Sequence, residues 1–235
     1  MRIPRSLQLI EDSAYVSITW KCHNNAFLLK SSSSKAMYIN SIKKTLKQAA
    51  INENIKILSF CLMDNHVHLL VYYKNGSEFL SKFLRSCHSR FGLCFNKLHE
   101  RSGKIANERP YSSLIEDFNH IFKVHLYIEA NPIKARMFNL SNLKNYKYSS
   151  FRLFAFGEMD ELNDFITIPS WYIALGNTPA IRQKRFRKIF IDYILNMDFK
   201  FNLFKERFIG TPRWKHKYDE FVNLQMSFRR LCNSS

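Results

Sequence analysis

Residues 14–22, AYVSITWKC, alternate between apolar and polar positions and are rich in β-branched and aromatic side chains, so they predict a strand. HNNAFLLKSSSS then reads as a loop ending in serines fit to cap a helix. Over 35–54, Met37, Ile42, Leu46 and Ala49/Ala50 recur at helical spacing with lysines between them. IKILSFCLM (55–63) and HVHLLVYYK (66–74) predict two strands, and the turn-forming pair Asp64-Asn65 joins them as a hairpin. Phe79, Phe83, Cys87, Phe91, Cys94/Phe95 and Leu98 form one apolar stripe, which predicts a helix over 78–99. Residues 101–117 read as a loop and then an extended segment. A further helix runs from about Phe118 to Ala130, where Asn131-Pro132 ends it. The order β-α-β-β-α-β-α predicts an α+β fold: a ferredoxin-like split β-α-β antiparallel sheet with helices on one face.

Beyond residue 140 the character changes. NYKYSSFRLFAFGEMDELNDF is aromatic and irregular, and 178–199 predicts a basic amphipathic helix. We therefore expect two parts: 1–140, and a basic, aromatic, mostly helical C-terminal extension over 141–235.

Charge narrows the partners. Lys and Arg number 36 against 19 Asp and Glu, a formal net charge of +17 over 235 residues. That excess favours a polyanion, because each neutralised phosphate releases a condensed counterion. It is spread along the chain, which points to a folded domain with a basic face and away from a disordered arm. The five cysteines, Cys22, Cys61, Cys87, Cys94 and Cys232, form no Cys-x-x-Cys and are odd in number, so a reduced interior fits better than a disulfide framework or a zinc knuckle. The N-terminus has no apolar signal-peptide core and no run approaches a membrane span. We expect a cytoplasmic protein with no membrane partner.

Two stretches carry candidate chemistry. In CLMDNHVHLL (61–70), His66 and His68 stand one residue apart on a strand and so project from the same face. Such a pair can chelate a divalent cation. With eight histidines in the chain, one His-x-His arises by chance roughly once in four such sequences, so spacing alone leaves metal site and buried core both open. In HLYIEANPIKARM (125–137), Tyr127 and Asn131 are i and i+4 and share a helix face. Read alone, they fit better a core tyrosine and an asparagine capping the helix before Pro132.

Taken in order, the two stretches are specific. Met63-Asp64-Asn65-His66-Val67-His68-Leu69 resembles the Met-Pro-Asn-His-x-His-Leu block of the single-tyrosine HUH transposases of bacterial insertion sequences. Tyr127 to Ala135 resembles their second block, Tyr-hydrophobic-x-x-Asn-Pro-hydrophobic-Arg/Lys-Ala. The closer likeness is to the REP-associated tyrosine transposases, and KYSSFRLF (147–154) matches the serine pair that follows their catalytic helix. The resemblance spans about residues 14–156. It implies an HUH nuclease domain over 1–140. His66, His68 and Asn131 would bind Mg²⁺ or Mn²⁺, and Tyr127 would be the nucleophile that cleaves and rejoins DNA through a 5′-phosphotyrosine. The implied partner is single-stranded or hairpin DNA, bound by a monomer or homodimer. Asp64 stands where the family has Pro, and reads as a turn residue. Asn131 is shorter than the Gln found in many members. His125 and Glu129 fall two residues either side of Tyr127 and read as a bystander and a solvated acid.

Lys82, Arg85, Arg90, Arg109 and Lys134 are the candidate DNA contacts; for those of the 78–99 helix, a solvated face explains the bases equally well. Two other functions compete. A histidine-triad-like nucleotide phosphohydrolase would want a third histidine at position 70, which is Leu. A catalytically inactive nucleic-acid-binding remnant would not need His66, His68 and Tyr127 together.

Overall fold

The computed structural model describes residues 5–106, 108–197 and 206–232. In chain order the elements are α1 (Arg5–Gln8), β1 (Ala14–Lys21), α2 (Ser32–Leu46), α3 (Ala49–Asn54), β2 (Ile55–Leu62), β3 (His66–Tyr73), α4 (Ser77–Leu98), β4 (Tyr111–Ile115), α5 (Phe118–Glu129), α6 (Asn131–Lys134), α7 (Phe151–Phe156), α8 (Ser170–Ile173), α9 (Pro179–Leu195), β5 (Phe208–Ile209) and α10 (Pro212–Cys232). The sheet order is β2-β3-β1-β4-β5. The first four strands are antiparallel, and β5 joins β4 in parallel. The α+β class and the β-α-β-β-α-β order are as expected.

Local chemistry sets the helix boundaries. The Ser31 hydroxyl accepts from the Ser34 amide to start α2, Asp117 accepts from the His120 amide to start α5, and Thr178 accepts from Ile181 before Pro179. The single helix expected over 35–54 is two, broken at Lys47-Gln48. The helix expected over 178–199 runs to Leu195, and residues 198–199 lie outside the described residues.

The expectation of helices on one face is corrected. On one face of the sheet, Trp20 stacks on Tyr38 of α2 at 5.5 Å and on His88 of α4 at 4.9 Å. Helix α5 covers the opposite face, which carries His66 and His68. The β2 and β3 runs are almost continuously apolar, which marks strands buried on both faces rather than strands with a wet side.

The region beyond residue 140 closes both edges of the sheet. Along β2, the Leu62 amide donates to Tyr148 O (2.9 Å), the Ser150 amide to Phe60 O (3.0 Å) and the Thr167 amide to Ile57 O (2.8 Å). The Tyr146 hydroxyl also donates to Leu62 O. At the other edge, β5 covers β4. Unpaired strand edges invite association with other chains, and these contacts remove that exposure. Helix α9 turns Phe186 and Phe190 inward, where Phe190 lies 4.7 Å from Phe151 of α7.

Ser150 is the hinge of the β2 edge: its hydroxyl accepts from the Phe60 amide (2.9 Å) and donates to Glu129 Oε1 of α5 (2.5 Å). Ser150→Ala leaves two buried groups short of a partner. It is expected to lower the unfolding free energy by about 1–3 kcal/mol in urea denaturation. An unchanged midpoint would remove Ser150 from the account.

Candidate active site

The antiparallel register places Lys21 beside His66, and Thr19 and Cys61 beside His68, all on one face. The two imidazole rings lie 4.6 Å apart, centroid to centroid. His68 is 2% exposed and His66 is half-buried. Each ring is steered through Nδ1. His66 Nδ1 meets Asn65 Oδ1 at 2.6 Å, and His68 Nδ1 meets Thr19 Oγ1 at 3.2 Å. An amide oxygen only accepts, so His66 carries its proton on Nδ1 and its lone pair on Nε2. Burial, helped by the Lys21 charge, pushes His66 down to about 4. Burial, then His66, Lys21 and Lys134, holds His68 well below the ordinary imidazole value. Both rings are therefore neutral near pH 7, the form that ligates a metal.

Asn131 sits at the junction of α5 and α6. Its Nδ2 donates to Tyr127 O at 2.9 Å and to Ile128 O at 3.1 Å, closing the end of α5. Helix α5 ends at Glu129, before Asn131-Pro132, as expected, but Pro132 also opens a new helical turn. It falls in the first turn of α6, where its missing amide costs nothing. The kinked continuation brings Lys134 back over Tyr127: Lys134 Nζ donates to the phenol oxygen at 2.9 Å and lies 4.5 Å from the ring centroid. Tyr127 is 4% exposed. The Lys134 charge also reaches His68. The histidine pair and the Tyr127–Lys134 pair thus occupy the same side of the sheet, between β3 and the α5–α6 junction. Tyr193 of α9 lies within electrostatic reach of Tyr127.

The other candidates do not gather there. Lys82, Arg85 and Arg90 are exposed on α4, across the sheet from the histidines, and Arg109 is exposed in the loop before β4. Asp64 pairs with the buried Lys35 Nζ at 2.6 Å and so ties the β2–β3 turn to α2. The reading of Glu129 as solvated is corrected: Glu129 and His125 are both fully buried. His125 lies among Phe154 and Trp171 (4.6 Å each) and Phe186 (5.4 Å). Glu129 is anchored on Ser150. Residues 147–150 carried the signal for this contact, because two adjacent serines in an aromatic run must find buried partners.

One further cluster was not foreseen. Glu116, Asp117 and His120 offer ligand atoms within 4.8 Å of one another. Their carboxylates already have structural partners: Glu116 accepts from the Thr211 amide and hydroxyl, and Asp117 caps α5 and meets His120 Nδ1 at 2.8 Å.

A family profile described as "Transposase IS200 like" matches residues 12–131. No curated protein matches the chain. Among solved structures, the chain is similar to one described as "Structure of the REP associates tyrosine transposase bound to a REP hairpin". That likeness has 17% identity and a TM-score of 0.49, and it covers 65% of this chain and 88% of that one.

Burial raises the Glu129 carboxyl from 4.5 to about 8, against the opposing bonds from Ser150, Phe151 and Ser149. The folded state therefore holds a proton that the unfolded chain releases. Its stability contribution is complete below about 4.5 and is lost as pH rises through about 8. Urea midpoints measured across this window are expected to fall with pH, and Glu129→Gln is expected to flatten the fall. An equally steep fall in the variant would assign the titration to another group.

Proposed function

The chain belongs to the IS200-like transposase family, and from that premise we propose that it is a metal-dependent single-strand DNA endonuclease and transposase with Tyr127 as nucleophile. One observation carries the reading: two neutral imidazoles with their Nδ1 atoms already steered share a face of the sheet with a phenol oxygen held by a lysine ammonium. A buried structural histidine pair would not need a tyrosine and a cation on the same side.

The donor set fits a divalent ion. His66 and His68 would offer Nε2, and Asn131, its amide nitrogen turned back onto α5, would offer Oδ1. Two imidazoles and an amide oxygen suit Mg²⁺ or Mn²⁺ and leave coordination open for phosphate oxygens. Bound there, the ion would polarise the scissile phosphate and offset the charge of its transition state.

Tyr127 does the covalent work. Its Oη attacks phosphorus, the Oη–P bond forms and the P–O3′ bond breaks. The products are a 5′-phosphotyrosine and a strand ending in a 3′-hydroxyl, which takes up the proton lost by the phenol. A second 3′-hydroxyl attacking the same phosphorus releases Tyr127 and rejoins the DNA, so the bond energy is kept. A phenol ionises near pH 10, so at neutral pH this chemistry needs help from neighbouring groups. Residues 1–140 supply the nuclease, and 141–235 brace it and add basic surface. The partner is single-stranded or hairpin DNA, attracted by the +17 charge. Tyr127 would act within its own chain, since its Lys134 partner lies within electrostatic reach of His68.

A pool of 3′-labelled hairpin oligonucleotides with randomised single-stranded flanks tests this. With Mn²⁺, the label is expected to become protein-linked, and Tyr127→Phe is expected to form no link. Losing several kcal/mol of transition-state stabilisation, His66→Ala and His68→Ala should each slow it by about 100-fold or more. Hairpin binding without any link in Mg²⁺ or Mn²⁺ would favour the inactive remnant. Nucleotide turnover that survives Tyr127→Phe would favour the phosphohydrolase.

A further inference from the structure

Lys134 stands out because its ammonium is spent on a reacting atom. A lysine placed only to attract DNA keeps its charge in water, where it contributes to affinity and to salt dependence. Lys134 instead donates to Tyr127 Oη at 2.9 Å, its Nζ drawn over the ring at 4.5 Å, with its stem half-buried. The contact spans seven residues, two helical turns, across the Asn131-Pro132 kink. It depends on α6 resuming after α5, and Asn131 secures that junction through its bonds to Tyr127 O and Ile128 O. The fold therefore builds the Lys134–Tyr127 contact from three adjacent features of one short stretch.

We propose that Lys134 is a catalytic residue: its ammonium holds the Tyr127 phenol oxygen toward the scissile phosphate and supplies the positive charge beside that oxygen as its bond to phosphorus forms and breaks. An ammonium only donates, so it is not the base. In cleavage the phenol proton leaves to solvent or to the departing 3′ oxygen. In rejoining, the incoming 3′-hydroxyl forms the O3′–P bond as the Oη–P bond breaks; Tyr127 leaves as a phenolate beside Lys134, the proton of the 3′-hydroxyl passes to solvent, and the phenolate then takes a proton from solvent. Charge placed in advance at an oxygen that becomes anionic stabilises the transition state in both directions. The position of Lys134 also separates two cationic roles. The metal would act on the phosphate oxygens, and Lys134 acts on the oxygen of the nucleophile.

The inference rests on the tyrosine chemistry proposed above, and the test keeps the two apart. Full-length wild type, Lys134→Gln and Lys134→Arg are compared on the same 3′-labelled hairpin pool with Mn²⁺. The rate of protein–DNA linkage and the rate at which a trapped link is discharged by an added 3′-hydroxyl strand are measured separately. Lys134→Gln is expected to slow both by about 100-fold, and Lys134→Arg to recover most of each rate. Hairpin affinity, its salt slope, the melting temperature and Mn²⁺ affinity should be unchanged in Lys134→Gln, apart from any gain in Mn²⁺ affinity on removing a nearby cation. Wild-type rates in Lys134→Gln would overturn the proposal. So would rate losses that track a lower melting temperature, a shallower salt slope or weaker Mn²⁺ binding, because those assign the lysine to folding, DNA attraction or the metal. If wild type itself forms no link, the tyrosine reading fails, and this inference fails with it.

Discussion

A β-strand turns successive side chains to opposite faces, and in β3 that simple period sets where the candidate ligands stand. His66 and His68 must share a face, while Val67 and Leu69 must enter the core against α2 and α4. Burial on both sides then does the electrostatic work. It strips water from the imidazoles and keeps them neutral. Thr19, delivered by the register of β1, and Asn65, from the preceding turn, orient the rings. A slip of one residue in β3 would turn both histidines toward α2 and α4 and put Val67 and Leu69 on the face beneath α5.

The second layer of the site is helical, and it is held at both ends. At its N-terminus α5 is capped by Asp117. Near its C-terminus it is fixed by Asn131, which bonds its last carbonyls, and by Glu129, which reaches the β2 edge through Ser150. Tyr127 lies between Glu129 and the start of the helix's final turn, so its position is tied to the sheet by a short chain of buried bonds. Ser150 belongs to the C-terminal extension. The extension therefore contributes to the setting of the site as well as to the edges of the sheet, and Tyr193 of α9 extends that contribution to the neighbourhood of the phenol.

Much of this was legible in the sequence. Alternation located β1, and the unbroken apolar runs of 55–63 and 66–74, split by Asp64-Asn65, located the hairpin. The Phe79-to-Leu98 stripe located α4 to within a residue. The two-sided burial of the sheet was less visible, because a continuous apolar run fits a buried strand without saying what lies on its second face. The end of α5 before Asn131-Pro132 was legible, but the short helix α6 was not, because proline breaks a helix only in its interior and is harmless at the start of a new turn. Within the site, the spacing of His66 and His68 and of Tyr127 and Asn131 could be read from strand and helix periods. The contacts of Glu129 and Lys35 could not, because each joins segments whose approach is set by tertiary packing, and that of Lys134 could not, because it needs a helical turn to resume after Asn131-Pro132.

The central claim is spatial: in the proposed site, His66 and His68 would hold an ion on the side of the sheet that carries the Tyr127 phenol of the same chain. Fluorotyrosine-labelled protein, with the Tyr127 resonance assigned by its loss in Tyr127→Phe, reports this through paramagnetic broadening by Mn²⁺. The account predicts that a stoichiometric amount of Mn²⁺ broadens the Tyr127 signal strongly in the monomeric protein, and that His68→Ala abolishes the effect. A sharp Tyr127 signal at saturating Mn²⁺, or broadening that survives loss of the histidine, would contradict it.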